Sequence, residues 1–152
     1  MQQMWRKIKV ETITAIILMV ILGYCSLQDA KTGTVNGPLI LAGGILLGVL
    51  RLTGIPEERV FMVWILKLFP GCLLMFLAFL KEEKVGYGDG LCMLTAGIAL
   101  WPEDFLKGLL STLIPIGIYS LWKGMTGTWE KDLKIPYVPF LSAGMLMGIL
   151  LP

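Results

Sequence analysis

Apolar runs separated by short polar segments follow one another along the whole chain. Several of these runs approach the roughly 20 residues with which an α-helix crosses a bilayer. Proline, which suits a first helical turn, stands at the start of two of them, at Pro38 and Pro56. The pattern predicts an all-α polytopic membrane protein with six transmembrane helices in a single domain, residues 1–152. The predicted helices cover about residues 12–27, 38–52, 59–80, 89–101, 104–122 and 136–151.

Composition agrees with a membrane protein and excludes several kinds of chemistry. The 152 residues are 56% hydrophobic and 16% charged, whereas a soluble domain carries about 25% charged residues. The absence of histidine excludes Ser-His and Cys-His nucleophile pairs and the histidine-based zinc proteases. Cys25, Cys72 and Cys92 are isolated in apolar runs, so each is expected to be a small buried hydrophobe. We therefore predict no metal site and no cofactor, and the net charge of +2 gives no sign of a nucleic-acid partner.

A carboxylate flanked by glycines stands between the third and fourth predicted helices, in the segment Gly86-Tyr87-Gly88-Asp89-Gly90. An ionisable side chain at the edge of the hydrocarbon is costly, which makes Asp89 a candidate functional residue. Gly86, Gly88 and Gly90 permit unusual backbone conformations and close approach of another segment, so they are candidates for shaping a substrate-binding loop. The alternative interpretation is that Asp89 is the N-cap of the fourth helix.

A second aspartate is predicted to lie on the same face of the membrane. Because successive spans alternate in direction, the ends of the first and third helices share a face, and Asp29 follows the first helix as Asp89 follows the third. Asp29 can also be read as an ordinary interfacial acid. Other acids predicted on this face stand in charge-rich loops. Apart from Lys67 in the third predicted helix, the lysines and arginines divide six to six between the two faces, with Arg51 and Arg59 opposite the aspartates. The positive-inside rule therefore does not give the orientation.

Two neighbouring carboxylates provide the chemistry of an aspartyl protease. Both cannot ionise easily when they are close, so the pair tends to share one proton. The ionised member can then take a proton from the attacking water, while the protonated member polarises the peptide carbonyl and assists the leaving amine.

At three places the chain resembles the type IV prepilin peptidases, which are membrane aspartyl proteases with a G-x-G-D motif. These places are Asp29 with Lys31 leading to Val35-Asn36, then Gly86 to Asp89, then Ile135-Pro136-Tyr137-Val138-Pro139-Phe140. The resemblance implies a multi-pass protein of the cytoplasmic membrane in which Asp29 and Asp89 are catalytic. It also implies prepilin or pseudopilin substrates whose basic leader is removed at the cytoplasmic face.

The chain departs from the family pattern in two positions near the aspartates. The family's Ile-Pro-Asn after the first aspartate appears here as Val35-Asn36, and the lysine two residues after the second aspartate is Leu91. The resemblance is to the short form, which lacks the cytoplasmic domain with paired Cys-x-x-Cys motifs. The two differences near the aspartates, at Val35-Asn36 and Leu91, bear on how the substrate is bound more than on the reaction itself.

Two further points remain open in the sequence. Glu82 and Glu83 border the glycine segment and can attract a basic leader electrostatically, or can simply balance the charges of Lys81 and Lys84.

The aspartates also fit a non-enzymatic function, in a small membrane transporter or in a pilus-assembly scaffold. The sequence leaves the oligomeric state undetermined.

Overall fold

The computed structural model describes residues 2–52, 60–80, 86–126 and 137–151, which form six α-helices and no strand. The predicted all-α class with six helices is confirmed for these residues. The helices are α1 (Gln2–Thr32), α2 (Gly37–Leu52), α3 (Val60–Leu80), α4 (Tyr87–Ala99), α5 (Pro102–Met125) and α6 (Tyr137–Leu150).

Three of these helices contain segments long and apolar enough to cross a membrane: Lys9–Thr32, Val63–Leu80 and Pro102–Met125. The other three are shorter, with 16 residues in α2, 13 in α4 and 14 in α6. At a rise of 1.5 Å per residue they are about 24, 20 and 21 Å long, against a hydrocarbon thickness of about 30 Å. The structure therefore supports a membrane protein, while six complete spans are not established by helix length.

The short helix α4 lies at the centre of the fold and contacts each of the other five helices. More than half of its residues are buried, and the apolar ones belong to one core together with residues of α1, α2, α5 and α6. Helix α4 is therefore enclosed by protein along much of its length. This position explains how a helix of only 13 residues can hold a polar side chain at its first turn.

Glycines bring the backbones of α3 and α4 into close contact. A Cβ atom at Gly90 would lie 2.6 Å from Cγ and 3.0 Å from the backbone nitrogen of Met75. A Cβ atom at Gly97 would lie 2.7 Å from the carbonyl oxygen of Lys67. Small residues at such positions are what permits close packing of membrane helices. Since Met75 meets Gly90 while Lys67 meets Gly97, the two helices run antiparallel.

The same alternation of direction holds for α5 and α6, where Asp104 approaches Gly148 and Thr112 approaches Gly144. The end of α1, the start of α4 and the start of α6 consequently lie at one end of the bundle. The start of α1 lies at the opposite end, with the end of α2 and the start of α5. This is the antiparallel order from which the common face of Asp29 and Asp89 was predicted.

Helix α1 extends five residues beyond the predicted end at residue 27, so the connection to α2 is shorter than the predicted helix bounds imply. Gly33 ends the helix: it has a positive φ of 62° and its N–H donates to the carbonyl oxygen of Asp29 at 2.8 Å. This is a common way for a helix to end at glycine. Asp29 therefore lies in the last turn of α1 and not in a loop.

Helix α4 begins at Tyr87 and ends at Ala99, two residues earlier at each end than predicted. Gly86 is its N-cap residue, with extended backbone at φ −67° and ψ 117°. The interpretation of Asp89 as the N-cap is therefore wrong, because Asp89 is the third residue of the helix. Helix α5 is two residues longer than predicted at its start and three at its end. Helices α2, α3 and α6 agree with the prediction to within one residue, whereas α1 begins ten residues before its predicted start.

Candidate active site

Asp29 is buried at the junction of α1 and α6. Its side chain is only 8% exposed, and its Oδ2 atom accepts a hydrogen bond of 3.3 Å from the backbone N–H of Val138. Val138 is the second residue of α6, and the first N–H groups of a helix have no acceptor within the helix. The carboxylate therefore satisfies a donor that would otherwise be buried without a partner, and it ties the end of α1 to the start of α6.

Asp89 is positioned by the extended backbone of Gly86 and the first turn of α4. The Asp89 N–H donates to the Gly86 carbonyl oxygen at 3.0 Å. A Cβ atom at Gly86 would lie 2.8 Å from Oδ2 of Asp89, so the carboxylate occupies the space that a side chain at position 86 would need. The first turn is also where the helix dipole favours negative charge. Gly86 thus leaves room for the half-buried carboxylate of Asp89.

Gly88 connects the glycine motif to the segment between α1 and α2. A Cβ atom at Gly88 would lie 2.8 Å from Cβ and 3.1 Å from Cγ2 of Val35. Glycine is required here because Val35 lies directly against the α4 backbone. Val35 follows Asp29 by six residues, and Gly88 directly precedes Asp89. Their contact therefore joins the two segments that carry the aspartates.

The carboxylates of Asp29 and Asp89 are close enough to repel each other electrostatically. Their nearest described neighbours include the thiols of Cys25 and Cys92, which interact with each other and are fully buried. The hydroxyl of Tyr137, which lies 3.8 Å from the Met93 sulfur, is near enough to sense the charge of Asp89. The pair is therefore surrounded by apolar and weakly polar groups contributed by α1, α4 and α6.

Two helix N-termini point their positive ends toward this pair. Asp89 lies in the first turn of α4, and Asp29 accepts from the first turn of α6. The two helix dipoles favour one negative charge on the pair. Repulsion between the two carboxylates opposes ionisation of both. This environment favours a singly protonated pair, which can act as a general acid and a general base at once.

The predicted site residues divide into those that the structure describes and those that it does not. Asp29, Asp89 and the three glycines belong to one cluster, in which Gly86 and Gly88 adjoin the aspartates and Gly90 packs on α3. Glu82 and Glu83 lie outside the described residues, and their attraction for a basic leader stays a prediction. Within the described ranges no three potential ligand side chains converge as a metal site would require.

Sequence reasoning missed the backbone N–H of Val138 and the contact between Val35 and Gly88. A backbone donor has no sequence signature, although both residues belong to segments that carry the family resemblance. The expectation that every cysteine is buried is wrong for Cys72, which is exposed on the outer side of α3.

Comparison with protein-family models, with curated proteins and with solved structures found no match for this chain. The resemblance to prepilin peptidases therefore rests on the three sequence motifs.

The hydrogen bond between Asp29 and Val138 predicts different effects of two substitutions on stability. Asp29→Asn keeps a side-chain oxygen that can accept from the N–H, whereas Asp29→Leu removes the acceptor and leaves the donor buried. Loss of a helix-capping acceptor costs about 0.5–2 kcal/mol. In detergent, the leucine variant should unfold at a lower temperature than the parent protein. The asparagine variant should have an unfolding temperature close to that of the parent. A leucine variant as stable as the asparagine variant would contradict the role given to this hydrogen bond.

Proposed function

We propose that this protein is a membrane aspartyl endopeptidase that removes the basic leader of type IV prepilins or pseudopilins, with Asp29 and Asp89 as the catalytic pair. The observation that carries the proposal is that two carboxylates from different helices, α1 and α4, lie at the same end of the bundle, near enough for their charges to repel each other. The hydrogen bond from Val138 and the space left by Gly86 support it, because they hold the two side chains in place. Described residues of the three motifs that resemble the prepilin peptidases meet at this cluster, where Val35 lies against Gly88 and Val138 donates to Asp29.

The proposed mechanism needs only water, the peptide and the two carboxyl groups. The ionised carboxylate takes a proton from water as its oxygen bonds to the scissile carbonyl carbon, and the protonated carboxyl donates a hydrogen bond to the carbonyl oxygen. When the tetrahedral intermediate collapses, the C–N bond breaks and the nitrogen receives a proton from the pair. Positioned acid–base groups of this kind contribute about 10² to 10⁴ in rate. Either aspartate can take either role.

Catalysis by the pair predicts that Asp29→Asn and Asp89→Asn each abolish cleavage of a co-expressed prepilin. Asparagine nearly keeps the shape of the side chain but cannot move a proton. Because groups that act as one unit are non-additive, the double variant should be little worse than either single variant. Cleavage is measured as a gel shift at matched protein levels, with Glu103→Gln as a control, since Glu103 is an exposed acid at the opposite end of the bundle. Substantial cleavage by either single aspartate variant would contradict the mechanism and favour a transporter or scaffold.

We further propose that the protein is a multi-pass protein of the cytoplasmic membrane, with the aspartates at the cytoplasmic face and the start of α1 outside. The support comes from the antiparallel order of the helices and from the apolar segments in α1, α3 and α5. The orientation follows from the implied cytoplasmic cleavage of prepilins.

This orientation is tested with single cysteines introduced into a variant without the native cysteines. Lys31→Cys and Met125→Cys, at the ends of α1 and α5, should react with an impermeant thiol reagent only from the cytoplasmic side. Lys9→Cys, near the start of α1, should react only from outside. Labelling of positions 31 and 125 from opposite sides would rule out the proposed arrangement.

A further inference from the structure

A cavity of about 640 Å³ lies at the end of the bundle opposite the aspartates. One wall is α1 from Glu11 to Val20, which spans roughly 13 Å along the helix axis at 1.5 Å per residue. Leu146 and Ile149 of α6 form the facing apolar wall. Ile16, Val20 and Leu146 are exposed on their outer sides, so the cavity opens sideways between α1 and α6, where a bilayer would lie.

The inner end of this cavity is charged. Arg51, the penultimate residue of α2, lines the cavity and is only 5% exposed, with its guanidinium 4.3 Å from the centre of the Trp101 ring. Lys67 is also 5% exposed and lies 4.9 Å from the centre of the Trp64 ring, close enough to repel Arg51. Two buried cations are costly unless anions compensate them.

Two carboxylates line the same cavity and attract Arg51, those of Glu11 and Asp104. The charged part of the cavity therefore presents the buried guanidinium of Arg51 beside two carboxylates. The proposed proteolysis uses none of these groups, which lie at the other end of the molecule.

A ligand that fits must be amphipathic and must carry both signs of charge. Guanidinium groups bind phosphate oxygens through parallel hydrogen bonds, and carboxylates bind a primary ammonium group through its three donors. The apolar walls between α1 and α6 suit an acyl chain that enters from the bilayer. We propose that this cavity binds an amine-headgroup phospholipid, with its phosphate on Arg51 and its ammonium group between Glu11 and Asp104.

The proposal is tested by native mass spectrometry of the purified protein in detergent with added lipids. Phosphatidylethanolamine and phosphatidylglycerol with identical acyl chains are compared, since both offer the phosphate but only the first offers the ammonium group. The parent protein should bind phosphatidylethanolamine several-fold more than phosphatidylglycerol. Equal binding of the two lipids would overturn the proposal.

Four variants test which residues contact the lipid. Arg51→Gln should reduce binding of phosphatidylethanolamine about tenfold, because one charge-assisted contact to phosphate is lost. The double variant Glu11→Gln/Asp104→Asn should lose the preference between the two lipids. Lys9→Gln, which changes an exposed lysine on the same part of α1 outside the cavity lining, should bind like the parent.

The fourth variant keeps the test decisive if Arg51→Gln does not fold. Ala15→Phe fills the apolar part of the cavity and leaves every charged group in place. It should reduce lipid binding as well. Unchanged binding in a folded Arg51→Gln protein, or in Ala15→Phe, would contradict the assignment of the lipid to this cavity.

Discussion

The close approach of α3 to α4 is the constraint on which the rest of the structure depends. Gly90 and Gly97 of α4 contact the backbone of α3, and Gly71 of α3 contacts that of α4 at Leu94. At these three positions a Cβ atom would collide with backbone atoms, so the helices could not keep this distance with any other residue. Helix α4 can thus remain in the centre of the bundle and hold Asp89 half-buried, although it is short. Gly90, the last glycine of the motif, is the N-terminal part of the same close contact.

Polar groups are collected at the two ends of the bundle, with an apolar core between them. At one end Asp29 and Asp89 face the starts of α4 and α6, where backbone N–H groups and helix dipoles favour negative charge. At the other end Arg51 and Lys67 are buried against tryptophan rings, and the carboxylates of Glu11 and Asp104 line the same cavity as Arg51. Since isolated charges inside a membrane protein are expensive, such groupings mark functional sites. The first grouping fits proton transfer, because its two members carry the same charge and compete for one proton. The second fits binding, because it presents both signs of charge.

The sequence contains enough information for the class of fold and for the common face of the aspartates. Apolar runs and prolines indicate six helices, and the alternation of helix direction brings Asp29 and Asp89 to one end. Helix ends were harder to predict, because a single residue decides each of them. Helix α1 continues past Asp29 and ends only at Gly33, and the extended backbone at Gly86 places the start of α4 before Asp89. The partner of Asp29 is a backbone N–H group, which no side-chain pattern reveals. Arg51 was counted as an interfacial charge because it stands at a helix end, whereas the packing of α2 and α4 buries it on Trp101.

The most direct test of the two-aspartate protease is cleavage by the purified protein alone. The protein in detergent is incubated with a purified prepilin, and the products are identified by intact mass spectrometry. Hydrolysis by a water activated on Asp29 and Asp89 predicts two products, a basic leader and the mature pilin, whose masses add up to the mass of the substrate plus one water. A folded protein that leaves the prepilin intact, or cuts it equally well when Asp89 is replaced by asparagine, would contradict the account.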